Sequence, residues 1–194
     1  MLGLKLETDP RWVNIVEKNI EEILTDHAYC EQKAATNAIT ILIGFPYHTD
    51  LVDEMLKLSK EELTHFEMVH QKIKDRGLKL GFERKDEYVG ELYKFMRKGH
   101  KQEIVLIDRL LFAAMIEARS CERFKLLSEQ INDADLKEFY RELMISEAGH
   151  YTTFIGFARK YGSHVEDVDA RWQQWLDFEA NLIKNYGNTH TVHG

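Results

Sequence analysis

Apolar residues recur every three or four positions along most of this chain, the rhythm of helices that bury one face. The first stripe, Val13, Val16, Ile20, Leu24, His27, Glu31, Ala34, Ala38 and Ile41, predicts a helix over about 11–43 that ends at Gly44, Phe45 and Pro46. A second, Val52, Met55, Ser59, Glu62, Phe66, Val69 and Ile73, predicts a helix over about 50–76, with Thr49 or Asp50 as its cap and Gly77 as its stop. Leu106, Leu110, Ala114, Glu117, Cys121, Phe124 and Leu127 define a third over about 104–130. Beyond an Asn132-Asp133 turn, Leu136, Phe139, Leu143, Glu147, His150, Phe154, Phe157 and Tyr161 define a fourth over about 133–161. Val89, Leu92, Tyr93 and Met96 suit a short helix within 86–98, inside a crossover spanning 77–103. Trp172, Trp175, Leu176, Phe178 and Leu182 suit a last helix over about 165–186, packed across the others, and the tail NTHTVHG is expected to fray. The reading is all-α: one domain over 1–194, a four-helix bundle with a long crossover and an extra C-terminal helix.

Composition narrows the class. With 44% hydrophobic residues, 11 Gly and 2 Pro in 194 residues, the chain can bury a core and is not disordered. No run of about 18 apolar residues is present, which excludes a membrane helix. The start, MLGLKLETDPRW, lacks the basic flank and apolar stretch of a secretory signal, so the cytoplasm is the expected location. Cys30 and Cys121 are too few for a disulfide framework or a cysteine metal knuckle and are expected to be reduced and buried. A net charge of −7 argues against a surface that coats nucleic acid throughout, though not against a local patch. Neither a Gly-rich phosphate loop nor a serine nucleophile elbow occurs.

The anomaly lies in the stripes themselves. Glu31, Glu62, Glu117 and Glu147 stand where the rhythm calls for Leu or Ile, and a buried carboxylate costs several kcal/mol unless it is paired or metal-bound. Two of them open the pattern Glu-x-x-His, with His65 and His150 one turn on and on the same face. Chance alone supplies about one such spacing; Glu67 with His70 is read as that coincidence, since Glu67 lies about 140° around the helix from Glu62. Register strengthens the signal. Glu31 lies 13 residues before Gly44 and Glu62 lies 12 after Asp50, which puts both roughly 18–20 Å from the hairpin end. Glu117 and Glu147 straddle the Asn132-Asp133 turn by 15 and 14 residues, so two hairpins repeat one design. Four carboxylates and two imidazoles at the middle of a helical bundle form the ligand set of a non-haem di-iron or di-manganese site. The alternative is a structural polar network. Small residues beside the proposed ligands (Ala28, Ala34, Ala35, Ala113, Ala114, Ala118, Ala148, Gly149) leave room for ions or allow close packing.

The segments DHAYCEQKAA, SKEELTHFEMV, LLFAAMIEARSCERF and SEAGHYTTF resemble the tRNA hydroxylase family that acts on 2-methylthio-N6-isopentenyladenosine, beside the anticodon, within the ferritin-like superfamily. The resemblance runs from about Pro10 to Tyr186. It implies a ferritin-like bundle and a di-iron monooxygenase, with Glu31, Glu62 and His65 holding one iron and Glu117, Glu147 and His150 the other. It further implies that Glu62 and Glu147 bridge the irons, that no catalytic residue is needed beyond these ligands, and that O2 is the co-substrate; manganese, which the same donor types bind, is the alternative metal. Because the chain has no dinucleotide fingerprint or Cys-x-x-Cys motif, electrons are expected from a separate ferredoxin- or flavoprotein-type partner.

A tRNA substrate needs a cationic surface. Lys72, Lys74, Arg76, Lys79, Arg84, Lys85, Lys94, Arg97, Lys98 and Lys101 crowd into one stretch that carries +5, leaving −12 for the remainder. These are the candidate phosphate contacts, with Tyr88, Tyr93 and Phe95 as candidate base-stacking residues. An ordinary solvated face is the bland alternative. Rival functions are iron storage in the manner of bacterioferritin, a manganese catalase or other peroxidase, and a helical binding module without metal.

Overall fold

The computed structural model describes residues 1–185, and the helical periodicity becomes seven α-helices with no strand among the described residues. They are α1 (Trp12–Lys18), α2 (Ile20–Gly44), α3 (Thr49–Asp75), α4 (Glu87–Phe95), α5 (Gln102–Gln130), α6 (Ala134–Gly162) and α7 (Val168–Asn185). The expected fraying of the NTHTVHG tail and the expected helix end at Tyr186 lie outside the described residues. The described chain divides into two compact units, a hairpin unit Lys18–Lys85 and a larger unit containing Met1–Glu17 and residues 86–185.

In the hairpin unit α2 packs along α3. Leu24, Ala28, Ala38 and Ile41 of α2 and Met55, Val69 and Ile73 of α3 are buried, as the two stripes require; Ala34, Val52 and Phe66 are only half-buried, while Leu51 and Leu58, outside the stripe, are buried. His48, not Thr49 or Asp50, holds the cap position of α3, without a capping side-chain bond. Gly77 closes α3 in the left-handed region at φ +68°; its N–H bonds to the Lys74 carbonyl and that of Leu78 to Ile73, the paired bonds of a glycine C-cap.

One expected helix became two. At Asn19 the backbone leaves the helix (φ −136°, ψ 39°) between α1 and α2. Apolar spacing does not register a single non-helical residue, because Val16 and Ile20 remain four apart; asparagine, whose side chain bonds readily to nearby backbone, tolerates the break.

In the larger unit α5 and α6 form the second long hairpin, and α7 packs on α4, α5 and α6. The Asp133 carboxylate caps α6 by accepting the Leu136 N–H at 3.0 Å, and Asp86 caps α4 from Val89 at 2.9 Å. Gly162 ends α6 where a Cβ would come within 2.7 Å of both Ile107 and Val168, so only glycine lets the chain pass. α4 stops at Phe95, short of Lys98, because Met96 turns extended and Arg97 reaches into a charged cluster. There the buried Asp108 carboxylate accepts the Arg97 N–H at 2.7 Å, the Arg97 guanidinium at 2.7 Å and the Arg171 guanidinium at 2.7 Å. Arg97 also holds Glu166 at 2.8 Å.

A second buried cluster joins four segments of the same unit. Arg119, fully buried on α5, binds Glu179 of α7 at 2.9 Å, Glu122 at 2.8 Å and the Leu6 carbonyl at 3.0 Å. The Tyr88 hydroxyl of α4 donates to Glu179 at 3.1 Å, and the backbone N–H and hydroxyl of Thr8 donate to Glu122 at 2.9 and 2.6 Å. Buried charges persist only when matched in this way.

Candidate metal centre

Glu31, Glu62, Glu117 and Glu147 each lie within one residue of the midpoint of their helices, α2, α3, α5 and α6. All four are buried, at 4%, 0%, 3% and 3% exposure, and His65 and His150 are each 6% exposed. A mid-helix carboxylate is beyond reach of the positive end of its own helix dipole, so its charge must be met by side chains or a cation.

Within the hairpin unit, α2 supplies Glu31 and α3 supplies Glu62 and His65, one turn apart. A carboxylate oxygen of each glutamate and a ring nitrogen of His65 lie within 4.8 Å of one another. His65 Nδ1 is 3.3 Å from Glu62 Oε2 and 3.8 Å from Glu31 Oε2. On the opposite side of the carboxylate, His27 Nε2 lies 2.6 Å from Glu31 Oε1. Burial alone would raise the Glu31 carboxyl, but hydrogen bonds with His27 and His65 hold it well below the usual carboxylate range. Burial pushes the His65 imidazole down, yet Glu31 and Glu62 raise it to about 11.

The larger unit repeats the motif. Glu117 of α5 and Glu147 and His150 of α6 bring one donor atom each within 4.8 Å of one another. His150 Nδ1 stands 3.9 Å from both Glu117 Oε2 and Glu147 Oε1. Cys121, one turn beyond Glu117, is turned away from ligation: its thiol donates to the Met144 carbonyl at 3.3 Å, and burial, with the Glu147 charge, pushes it up to about 12. Each unit therefore presents two carboxylates and an imidazole in a pocket-sized cluster, hard oxygen and borderline nitrogen donors that fit iron or manganese rather than a soft metal. Glu67 is exposed, consistent with its exclusion. Of the flanking small residues, Ala28, Ala35, Ala113, Ala114 and Ala118 are buried, whereas Ala148 is half-buried and Gly149 exposed.

The whole of residues 2–194 matches the family model described as tRNA-(MS[2]IO[6]A)-hydroxylase (MiaE). This chain belongs to the MiaE family. Two curated members are similar: a tRNA 2-(methylsulfanyl)-N(6)-isopentenyladenosine(37) hydroxylase from Pseudomonas putida, 36% identical over 82% of this chain and 76% of the relative, and one of the same name from Salmonella typhimurium, 37% identical over 86% and 77%. Among solved structures, a Synechococcus protein with aldehyde deformylating oxygenase activity matches with a TM-score of 0.89 and 31% identity, covering 98% of this chain and 95% of that one. The MiaE chain described above is thus all-α and of the ferritin-like class, as its two Glu, Glu-x-x-His hairpins anticipate.

The basic stretch divides between the units of this MiaE member. Lys74, Lys79 and Lys85 are exposed and Lys72 and Arg76 half-buried in the hairpin unit, where Arg84 pairs with Glu22 at 3.1 Å. In the larger unit Lys98 and Lys101 are exposed and Lys94 pairs with Glu91. Arg97 differs from the rest, since its guanidinium already neutralises Asp108 and Glu166. Of the three aromatic candidates, Tyr88 is buried on Glu179 and Phe95 stacks on Phe178 at 4.3 Å, so both serve the core. Tyr93 stays 44% exposed, with Lys98 Nζ 4.1 Å from its ring centre. Sequence reasoning placed His27 on the inward stripe without a role; its i, i+4 spacing to Glu31 was the available signal.

Proposed function

We propose that this chain is a non-haem di-iron monooxygenase that hydroxylates the isopentenyl group of 2-methylthio-N6-isopentenyladenosine in tRNA, beside the anticodon, using O2 and electrons from a separate donor protein. The observation that carries this reading is the donor set Glu, Glu-x-x-His, buried at mid-helix and repeated in two hairpins of a chain that belongs to a family of tRNA hydroxylases. Glu31, Glu62 and His65 hold one iron, and Glu117, Glu147 and His150 the other. When bound, the iron pair supplies the electrons that activate O2 for attack on a C–H bond. The chain's own residues fix those ions and keep water from them. Glutamates supply negative charge, imidazoles bind as neutral donors once the metal displaces their proton, and His27 holds Glu31 in one orientation through the 2.6 Å bond. No helix among the described residues is long and apolar enough to cross a membrane. The similarity to tRNA hydroxylases and to an oxygenase favours this reading over iron storage and peroxide disposal.

Mass spectrometry of nucleosides from total tRNA, in cells with and without the gene, tests it. The hydroxylated isopentenyladenosine should vanish without the gene and return with the wild type but not with Glu147→Ala. An unchanged nucleoside profile would overturn the substrate assignment.

A further inference from the structure

Between α3 and α4 the chain runs extended alongside α2, fastened at successive turns of that helix. The Lys79 N–H donates to Glu21 at 3.3 Å, the Gly81 N–H to Thr25 Oγ1 at 3.2 Å, and the Tyr29 hydroxyl to the Gly81 carbonyl at 3.0 Å. Lys33 then binds Glu83 at 3.1 Å and Arg84 returns to Glu22 at 3.1 Å. The dimensions agree: twelve helical residues from Glu21 to Lys33 rise about 18 Å, and five extended residues from Lys79 to Arg84 span about 17 Å.

At the centre of this strap Gly81 lies so close to α2 that a Cβ there would meet Thr25 Cγ2 at 3.3 Å. The next residue, Phe82, leaves its ring in solvent. It is 94% exposed, the most exposed of the large hydrophobic side chains among the described residues. Lys79 and Lys85 are exposed three residues to either side of it, and the adjoining Glu83 carboxylate is paired with Lys33. A free-standing aromatic ring on an anchored backbone, flanked by lysines, has the parts of a stacking platform for an unpaired base with its phosphates held nearby.

We propose that Phe82 stacks on an unpaired base of the RNA substrate, with Lys79 and Lys85 on the adjoining phosphates. The assignment rests on the tRNA reading above and adds its recognition element. It commits to RNA rather than a protein partner because the lysines match phosphate charge.

The test is binding of a fluorescently labelled anticodon stem-loop RNA to the iron-loaded full-length protein, followed by anisotropy across a salt series. Phe82→Ala should weaken binding by about 5- to 150-fold, the loss expected for one base–aromatic stack, without changing the salt slope. Phe82→Trp should retain affinity. Lys79→Glu with Lys85→Glu should instead flatten the salt dependence, by about 0.7 per lost phosphate contact on a single strand. Because the ring is exposed, all variants should melt with the wild type. Wild-type affinity in Phe82→Ala would overturn the proposal. So would unchanged RNA affinity combined with slower turnover at limiting electron donor, which would reassign Phe82 to a protein interface. Hydroxylated nucleoside present in cells alongside unaffected Phe82→Ala binding would remove this inference alone; its absence in wild-type cells would remove the functional reading.

Discussion

At the level of single residues, the four mid-helix glutamates were legible because helical spacing fixes which face a residue occupies, and charge on an apolar face has few explanations. The role of His27 was not legible, since an inward histidine is equally a core residue until its partner is seen 2.6 Å away. Replacing His27 by Ala frees Glu31 to rotate, and iron affinity measured by chelator competition should fall about 10- to 100-fold, the usual consequence of losing a bond that orients a ligand. Glu117→Ala deletes a donor outright and should lower bound iron per chain by elemental analysis while leaving the helical circular dichroism in place. Cys121, buried and with its thiol pushed up to about 12, should resist alkylation at neutral pH in the native protein and react only on unfolding.

Among the helices, periodicity located every long element, and Gly77 marked a true stop through its left-handed φ. Periodicity could not show the Asn19 break or the early end of α4, which is set by Arg97 binding Asp108 across a sequence gap of 11 residues. Gly162→Ala forces a methyl against Ile107 and Val168 and should cost about 1–3 kcal/mol in chemical denaturation. Asp108 ties α5 to Arg97 and Arg171. Burial would raise its carboxyl, but the two guanidinium groups hold it below the ordinary value. A depressed folded pKa means that the contribution to stability is full above the unfolded pKa, about 3.9, and is lost as pH falls through the folded one. Asp108→Asn should therefore destabilise by about 3–5 kcal/mol at neutral pH. That difference from wild type should shrink in melts run progressively below about pH 4.

For the molecule as a whole, the proposed function asks a chain of net charge −7 to present its cations locally to tRNA. Exposed Lys98 and Lys101 are free to meet phosphates in a way that Arg97 is not. Lys98→Glu with Lys101→Glu should weaken tRNA binding and reduce its salt dependence without lowering the melting temperature, whereas Arg97→Glu should lower the melting temperature as well. Either result can be read from binding isotherms and thermal melts on the same samples. By itself the sequence determined the all-α class, the stops of the long helices and the six carboxylate and imidazole residues that share the buried faces, because each follows from spacing along one helix or across one turn. Only the tertiary structure decided which charges are spent inside the protein and which aromatic rings remain outside it. Arg119 finds Glu179 from 60 residues away, Thr8 finds Glu122 from 114, and Phe82 is left in solvent by bonds between its neighbours and α2. Pairing and burial of that kind depend on which distant segments meet, and no local pattern encodes that meeting.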